Sequence, residues 1–448
     1  MNEMFVNPLH NPTGGFGSND FSLIVFFPKV VFIILGLTIL VEGALPQLEM
    51  AITGGSVPFV PTGHSLMILA IGSMLLLKGR FQSSTLLPLT LVLLGYFILE
   101  VIFLHFSKDL SFTSSRRSLE YLVLVLIAGA ASVVPLKIKA EHILASLLLI
   151  TFACVVLSAA QFVTNLPIVP TESADHTFQV ESYDFFGKIR AFSFFGNALQ
   201  AGIFYSLMGG VATSLCLQPK KRIFGFFLLS LCAFGCYATY TRLVMFGFIL
   251  TVIAVFARSR KGLARFSLLF PVFSLGCAVL LVAQGLRAGG PGRSDLASSS
   301  SLDQRLFDWE MYSRKLIAGS MTDILFGTGL GPYTPYSKAE RPENAAPVPV
   351  DNAYLLILLS NGIFGLVMFS VAYWHFWIFL HKRAKSNKSH LLNGITAMFA
   401  TAPFLCSISD PPTQVILLLL FAVSVDDDHS APSALGPSTL SEQYLTLA

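Results

Sequence analysis

Long apolar runs recur along the chain, and they constrain its fold more than any other feature. A run of roughly 17 or more apolar residues can cross the ~30 Å hydrocarbon core of a bilayer as a helix. The last run is marginal, and it could be tilted or partly re-entrant. The sequence predicts an all-α polytopic membrane protein with about twelve transmembrane helices. Their runs lie near 22–44, 64–77, 85–106, 119–136, 142–163, 191–217, 223–240, 242–257, 264–284, 353–381, 391–408 and 413–425.

Composition supports a membrane protein and argues against two other classes. Of the 448 residues, 54% are hydrophobic and 12% are charged, whereas a soluble chain is about 25% charged. The net charge of +4 is too small to indicate nucleic-acid binding. The six cysteines lie in apolar runs without metal-ligand spacing beyond a single Cys-x-x-x-Cys, so we interpret them as small helix-packing residues. They are Cys154, Cys216, Cys232, Cys236, Cys277 and Cys406.

Basic residues cluster in every second interval between the apolar runs. Cytoplasmic loops of membrane proteins carry an excess of Lys and Arg, so these intervals and both termini are predicted to lie in the cytoplasm. Shifting the phase by one helix would place every cluster outside. The clusters are Lys78 and Arg80; Lys137 and Lys139; Lys220, Lys221 and Arg222; Arg258, Arg260, Lys261 and Arg265; and Lys382, Arg383, Lys385 and Lys388.

One long polar interval, residues 285–352, divides the apolar runs and falls on the outer side of this topology. Within it, residues 302–317 place Leu306, Trp309 and Leu316 on one helical stripe, which fits an interfacial amphipathic helix or a helix packed on its own domain. The predicted organisation is a disordered tail at 1–20, helices 1–9 at 21–284, the outer loop at 285–352, helices 10–12 at 353–425 and a disordered tail at 426–448.

Three arginines fall at the outer ends of the predicted helices. Arg190 opens the sixth predicted helix, Arg242 lies in a very tight turn between two helices, and Arg305 opens the amphipathic helix. An arginine next to hydrocarbon is costly, so a reason for each is expected. Guanidinium groups pair bidentately with phosphate oxygens, so three that converge would suit a diphosphate. The alternative is that each is an interfacial anchor or is paired with a nearby acid.

Asp351 and Asn352 precede the tenth predicted helix. Asp351 could cap that helix, or it could accept a proton from a sugar hydroxyl; the two roles are compatible. The glycines at 327, 329 and 331 lack the strand and helix of a nucleotide-binding loop, so they predict a tight turn after the amphipathic helix. Asn361, Gly362 and Gly365 are expected to break or thin the tenth helix for close packing.

Several short pieces of the sequence, taken in their order and spacing, resemble the O-antigen ligase and Wzy-type polysaccharide polymerase superfamily of bacterial membrane enzymes. The resemblance covers roughly residues 190–370, and it includes the large loop late in the chain. The matching pieces are 190–197 with Ala201 and Gly202; 239–242; Arg305 with Trp309; 327–329; and 351–355 with Gly362.

The resemblance implies a GT-C-like glycosyltransferase of the bacterial inner membrane. Members of the superfamily take a glycan on undecaprenyl diphosphate as donor and act at the periplasmic face, so the loop at 285–352 would be periplasmic. Carried over to this chain, Arg190 and Arg242 would hold the donor diphosphate. Arg305 would contribute to diphosphate binding and to catalysis from the loop, and Asn352 would also bind the diphosphate.

The resemblance also implies the partners of such an enzyme. They would be lipid-linked glycans as donor and acceptor, the bilayer, a chain-length regulator and a flippase. Arginines can stabilise a leaving diphosphate electrostatically, so no nucleotide or obligatory metal cofactor is expected. Attack on the side opposite the diphosphate would invert the anomeric centre.

One departure from the ligase branch bears on the reaction. That branch usually has His-Asn where this chain has Asp351-Asn352, with Asp351 as the candidate base. The leading hypothesis is therefore a polymerase that joins lipid-linked repeat units of O-antigen, capsule or exopolysaccharide. A ligase that moves the glycan to lipid A core or protein is the alternative of similar chemistry. A transporter or flippase is the alternative of another class, but the distinctive charges gather at one face rather than at the midplane.

Overall fold

The computed structural model describes 52, 95, 140–169, 184–185, 188–195, 197–259, 311–312, 314, 316–327, 355, 357–368 and 370–371. Three helices in these ranges are long and apolar enough to cross a membrane: Leu144–Thr164, Ala198–Cys216 and Pro219–Ala238. Val244–Ser259 and Ile357–Met368 are shorter apolar helices. The described part of the chain is thus that of a helical membrane protein. The other predicted helices and both predicted tails lie outside the described residues, except for the single helical residue Gly95.

The described elements follow one another as helices with one small hairpin. They are α1 (Ala140–Thr164), β1 (Asp184–Phe185), β2 (Lys188–Ile189), α2 (Ala198–Cys216), a 3-10 turn (Pro219–Lys221), α3 (Arg222–Ala238), α4 (Arg242–Ser259), α5 (Met321–Phe326) and α6 (Ile357–Met368). Helices α1, α3 and α4 agree with the predicted runs to within about two residues, the usual uncertainty of a helix boundary.

Helix α2 lies at the centre of the described bundle and packs against α3 and α4. Of its apolar span 94% is buried, against 33% for each of α1 and α3. The outer sides of those two helices and of α4 expose large apolar residues, as surfaces in contact with lipid do. These residues include Leu149, Phe152, Val156, Ile223, Phe226, Phe227, Phe246, Ile249 and Ile253.

Glycines on α2 set how closely it approaches α4. A Cβ added at Gly202 would collide with the Val244 side chain, and one added at Gly209 would collide with the Phe248 ring. Small residues at an interface let two helix backbones come close, which is the usual packing device inside membranes. The order of these contacts shows that α2 and α4 run in the same direction.

The start of α2 differs from the prediction. The apolar run near 191–217 was expected to be helical throughout, with Arg190 at its first turn, but α2 begins at Ala198. Residues 191–195 form a turn instead, with Ser193 at φ 55°. Phe192 and Phe195 are fully buried there. Their apolarity therefore reflects burial of a turn rather than membership of a spanning helix.

A short helix interrupts the predicted polar loop. Ser320 caps α5 by accepting a hydrogen bond from the backbone N–H of Asp323, and the Asp323 carboxylate accepts one from the Ser320 N–H. The residues before it at 311–312, 314 and 316–317 are helical, with Leu316 buried and Arg314 exposed. They fit the end of the predicted amphipathic helix. The turn at Gly327 therefore follows α5 rather than that helix.

Candidate functional site

One end of the bundle collects the starts of α2 and α4 and the ends of α1 and α3. We call this end, made of residues 188–198 and 238–242, the arginine end. Its backbone is joined by a hydrogen bond of 3.0 Å from the Ala191 N–H to the Ala238 carbonyl. This bond holds the backbone beside Arg190 against the end of α3, which leads through a short turn to Arg242.

Arg190 follows the second strand of the hairpin rather than opening a helix. Strands β1 and β2 pair in an antiparallel manner, with Asp184 opposite Ile189. Arg190 is partly buried, and its Nε atom is shielded from solvent. A partly dehydrated guanidinium stays charged, because its pKa lies far above neutrality.

Side chains of α1 and its following turn fix the backbone around Arg190. The Ile189 N–H donates to Oδ1 of Asn165 at 2.8 Å. The N–H groups of Phe192 and Ser193 both donate to Oε1 of Gln161, at 3.2 and 2.8 Å. The Ser193 hydroxyl donates to the Cys154 carbonyl at 3.0 Å. The segment that carries Arg190 is thus held by hydrogen bonds on both sides of that residue.

The turn between α3 and α4 is as tight as the sequence predicts. Tyr240 has φ 47°, and its N–H donates to the Tyr237 carbonyl at 3.0 Å. Thr239 and Thr241 are buried and bond to the local backbone, Thr239 Oγ1 to the Cys236 carbonyl at 2.7 Å and Thr241 Oγ1 to the Thr239 carbonyl at 3.0 Å. Helix α4 then begins at Arg242, whose side chain lies outside the described residues.

The helix starts at this end suit an anion. Asn197 caps α2 with its Oδ1, which accepts the Gln200 N–H at 2.8 Å. Neither α2 nor α4 has an acidic residue in its first turn. The N-terminal end of a helix carries a partial positive charge and unpaired N–H groups, both of which favour negative groups. The two helix starts therefore add positive potential at the arginine end.

An aromatic cluster borders the arginine end. The Phe162 ring stacks on Tyr240 with centroids 5.7 Å apart, and it also meets Phe234 at 5.8 Å and Tyr237 at 5.9 Å. Tyr237 and Tyr240 contact each other at 5.8 Å. These rings tie the end of α1 to the end of α3 and to the turn.

The described helices place two of the predicted basic clusters at the same end of the bundle, as the cytoplasmic prediction requires. Lys220, Lys221 and Arg222 lie where α2 passes into α3, and Arg258 lies near the end of α4. Both places are at the end of the bundle opposite to the arginine end. The relative placement of these charges is confirmed for the described helices, while their orientation in the membrane stays a prediction.

A second contact joins the polar interval to the tenth predicted helix. Gly327 has φ 79° and Gly362 has φ 64°. A Cβ on Gly327 would collide with the backbone of Ser360 and Asn361, and a Cβ on Gly362 would collide with the backbone of Leu325 and Phe326. We call this reciprocal contact the glycine joint. It confirms that the tenth helix is thinned at Gly362 for close packing.

Three of the predicted site residues, Arg305, Asp351 and Asn352, lie outside the described residues, so their convergence with Arg190 stays a prediction. The part of the chain that the structure describes contains no group of three or more His, Cys, Asp or Glu side chains suited to a metal ion. The cysteines at 154, 216, 232 and 236 are free thiols buried in helices, as expected of packing residues.

Sequence reasoning missed Gln161 and Asn165, which hold the Arg190 segment. Gln161 stands near the outer end of an apolar run, and a polar side chain inside a membrane helix is itself a signal of pairing or function. Its partners could not be named in advance, because they lie about 30 residues further along the chain.

Comparison with known proteins gives a family match for part of the chain. Residues 226–370 match the Wzy_C family model, described as O-Antigen ligase. The match contains Arg242, Arg305, Asp351 and Asn352, while Arg190 precedes it. No curated protein matches the chain. Neither the match nor the described fold supports a transporter. The match over residues 226–370 therefore supports an O-antigen ligase and Wzy-type family for this part of the chain, and members of that family are glycosyltransferase-like membrane enzymes.

Proposed function

We propose that the protein is a polymerase that joins undecaprenyl-diphosphate-linked oligosaccharide repeat units at the periplasmic face of the inner membrane. The observation that carries the proposal is the arginine end. There, the backbone at Arg190 is bonded to the end of α3, close to the turn that leads into Arg242. Two helix starts without acidic residues add to the positive field. A diphosphate is the ligand that this arrangement suits best.

The proposed reaction is a single displacement at the anomeric carbon of the donor. The acceptor hydroxyl attacks from the side opposite the diphosphate and forms the new glycosidic bond, while the bond from the anomeric carbon to the diphosphate oxygen breaks. The lipid diphosphate leaves with the electron pair, and Arg190, Arg242 and Arg305 stabilise its charge. The hydroxyl proton passes to Asp351, and Asn352 contributes to binding of the diphosphate. The anomeric configuration inverts.

Two observations bear on the acceptor. The Asp351-Asn352 pair replaces the His-Asn of the ligase branch, which favours another lipid-linked repeat unit as acceptor. The family description, O-Antigen ligase, favours transfer to lipid A core or protein. Deletion of the gene followed by glycan analysis separates these functions. Accumulation of single repeat units on the lipid indicates a polymerase, and polymer that lacks its final anchor indicates a ligase.

Conservative substitutions test the diphosphate role directly. Arg190→Lys and Arg242→Lys keep the charge but lose the bidentate fork, so each should lower polymer formation by about 100-fold or more. Arg222→Lys is the matched control, since Arg222 is exposed at the opposite end of the bundle. Polymer of normal length and amount from both Arg190→Lys and Arg242→Lys would refute the proposed role.

The proposed topology has an independent test. Reporter fusions at Ser298 should read as periplasmic, because the interval 285–352 is proposed to lie outside. Fusions after Ala448 should read as cytoplasmic. A cytoplasmic signal at Ser298 would invert the arrangement and place the arginine end on the wrong side for a lipid-linked donor delivered by a flippase.

A further inference from the structure

Gln161 makes three hydrogen bonds from a fully buried position near the end of α1. Its Oε1 atom accepts from two successive backbone N–H groups, those of Phe192 and Ser193, and its Nε2 donates to the Pro167 carbonyl at 2.8 Å. The side chains of Gln161, Phe192 and Ser193 are all shielded from solvent. Water therefore cannot replace these bonds without opening the bundle.

A carboxamide is the side-chain group that position 161 requires. A carboxamide offers one oxygen with two lone pairs and an NH₂ donor, so it satisfies two converging N–H groups and a carbonyl at once. A thioether of similar length would leave two buried N–H groups unpaired, which is costly, and would remove the donor to the partly buried Pro167 carbonyl. Ser193 itself has φ 55°, a conformation that residues with a side chain seldom adopt, so the bonds from Gln161 hold an unusual turn in place.

We infer that Gln161 is a positioning residue that holds Arg190 in place for the diphosphate, an inference that rests on the proposed function. Arg190 lies directly before the Ala191 N–H bonded to α3, and two residues before the Phe192 N–H bonded to Gln161. On its other side, the Ile189 N–H is bonded to Asn165. The Gln161 amide thus joins α1 to the segment whose position determines where the guanidinium lies.

Helix α1 itself offers a matched structural control. The Tyr205 hydroxyl and the Ser158 hydroxyl form a buried hydrogen bond of 2.7 Å that joins α1 to α2. Ser158→Ala removes this bond and leaves in place Tyr205, whose hydroxyl is also hydrogen-bonded to Ser193. It weakens the packing of α1 on α2 and removes none of the hydrogen bonds that Gln161 and Asn165 make to the Arg190 segment. A purely structural role for Gln161 would make Gln161→Met resemble Ser158→Ala in its effect on ligand binding.

The test measures ligand discrimination by the full-length protein in nanodiscs of phosphatidylethanolamine and phosphatidylglycerol. The probes are undecaprenyl diphosphate and undecaprenyl monophosphate, and the readout is the ratio of their Kd values. We expect the wild type to prefer the diphosphate. Gln161→Met should lower that preference about tenfold, since a displacement of about 1 Å is enough to lose a bidentate contact. Ser158→Ala should keep it.

A double-mutant cycle with Arg190→Lys identifies the route of the effect. If Gln161 acts through Arg190, the variant that carries both Gln161→Met and Arg190→Lys should discriminate no worse than Arg190→Lys alone. The inference would be overturned if the two substitutions lowered discrimination independently, so that their losses multiply in the double variant. It would also be overturned if Gln161→Met discriminated as the wild type does while Arg190→Lys did not. Either result would leave the proposed function standing. Wild-type discrimination in Arg190→Lys would overturn the proposed diphosphate role and the inference with it.

A second variant covers the case in which Gln161→Met does not fold. Asn165→Gly removes the acceptor of the Ile189 N–H, and glycine readily adopts the φ of 55° found at Asn165. Asn165 is only partly buried, so the change leaves the core of α1 intact. Asn165→Gly should show the same loss of diphosphate preference as Gln161→Met. Added to Arg190→Lys, it should cause no further loss, and these two results together would support the inference that the Arg190 segment is held in place. An unchanged preference would contradict it.

Discussion

Replacement of Gly362 by alanine tests the glycine joint with a magnitude that follows from the structure. The backbone at Gly362 has φ 64°, a left-handed conformation that costs a residue with a Cβ about 1 to 2 kcal/mol. The new methyl group also meets the backbone of Leu325 and Phe326, which cannot rotate away as a flexible side chain would. Overpacking of this kind adds about 1 to 3 kcal/mol. The joint should therefore be weakened by at least ~2 kcal/mol.

Hydrogen exchange followed by mass spectrometry measures this opening locally. At about 1.4 kcal/mol per factor of ten, a loss of ~2 kcal/mol raises the exchange rate about 30-fold in peptides that cover α5 and α6. Gly319→Ala is the control, because Gly319 is exposed and an added Cβ would meet its nearest atom at 3.1 Å. Exchange in Gly362→Ala no faster than in Gly319→Ala would refute the reasoning from φ and close contact.

Three further changes test other contacts. Gly202→Ala should lower thermal stability, and Val244→Ala should restore part of it with a coupling of about 0.5 to 3 kcal/mol, because the two side chains compete for one space; additive effects on the unfolding temperature would contradict this. Asn197→Ala should lower the free energy of unfolding by about 1 kcal/mol because α2 loses its cap, while Asn197→Asp keeps the cap. Equal unfolding temperatures for the two variants would argue against the capping role. Asp351→Asn keeps a capping side chain but removes a base, so polymer formation should fall; normal turnover would leave Asp351 as a cap only.

The long apolar helices were predictable because length and apolarity are enough to specify them. The runs near 142–163, 223–240 and 242–257 became α1, α3 and α4, and the tight turn before Arg242 followed from the single residue left between the last two runs. These predictions needed only the thickness of a bilayer. The same count of membrane crossings predicted that Lys220, Lys221 and Arg222 lie on the side of the membrane opposite to Arg190.

The arrangement at the arginine end was not predictable in the same way. Phe192 and Phe195 are apolar because they fill a turn, and apolarity alone does not distinguish a buried turn from the first turn of a helix. What decides between the two is the hydrogen-bond partner of each N–H group, here Gln161 and Ala238, which are distant in sequence. The short helix α5 escaped prediction because its few residues give no measurable period.

The aromatic cluster has a consequence for the depth at which chemistry would take place. Tyrosine rings with one apolar and one polar end collect where hydrocarbon meets water, and Tyr237 and Tyr240 adjoin the turn before Arg242. In the proposed reaction, a lipid at that level would keep its chain in the bilayer while its phosphates bind at the arginine end. Drawing the chain out would cost about 0.8 kcal/mol for each CH₂ exposed. For a polyprenyl donor, a site at this depth leaves the whole tail solvated by lipid throughout the reaction.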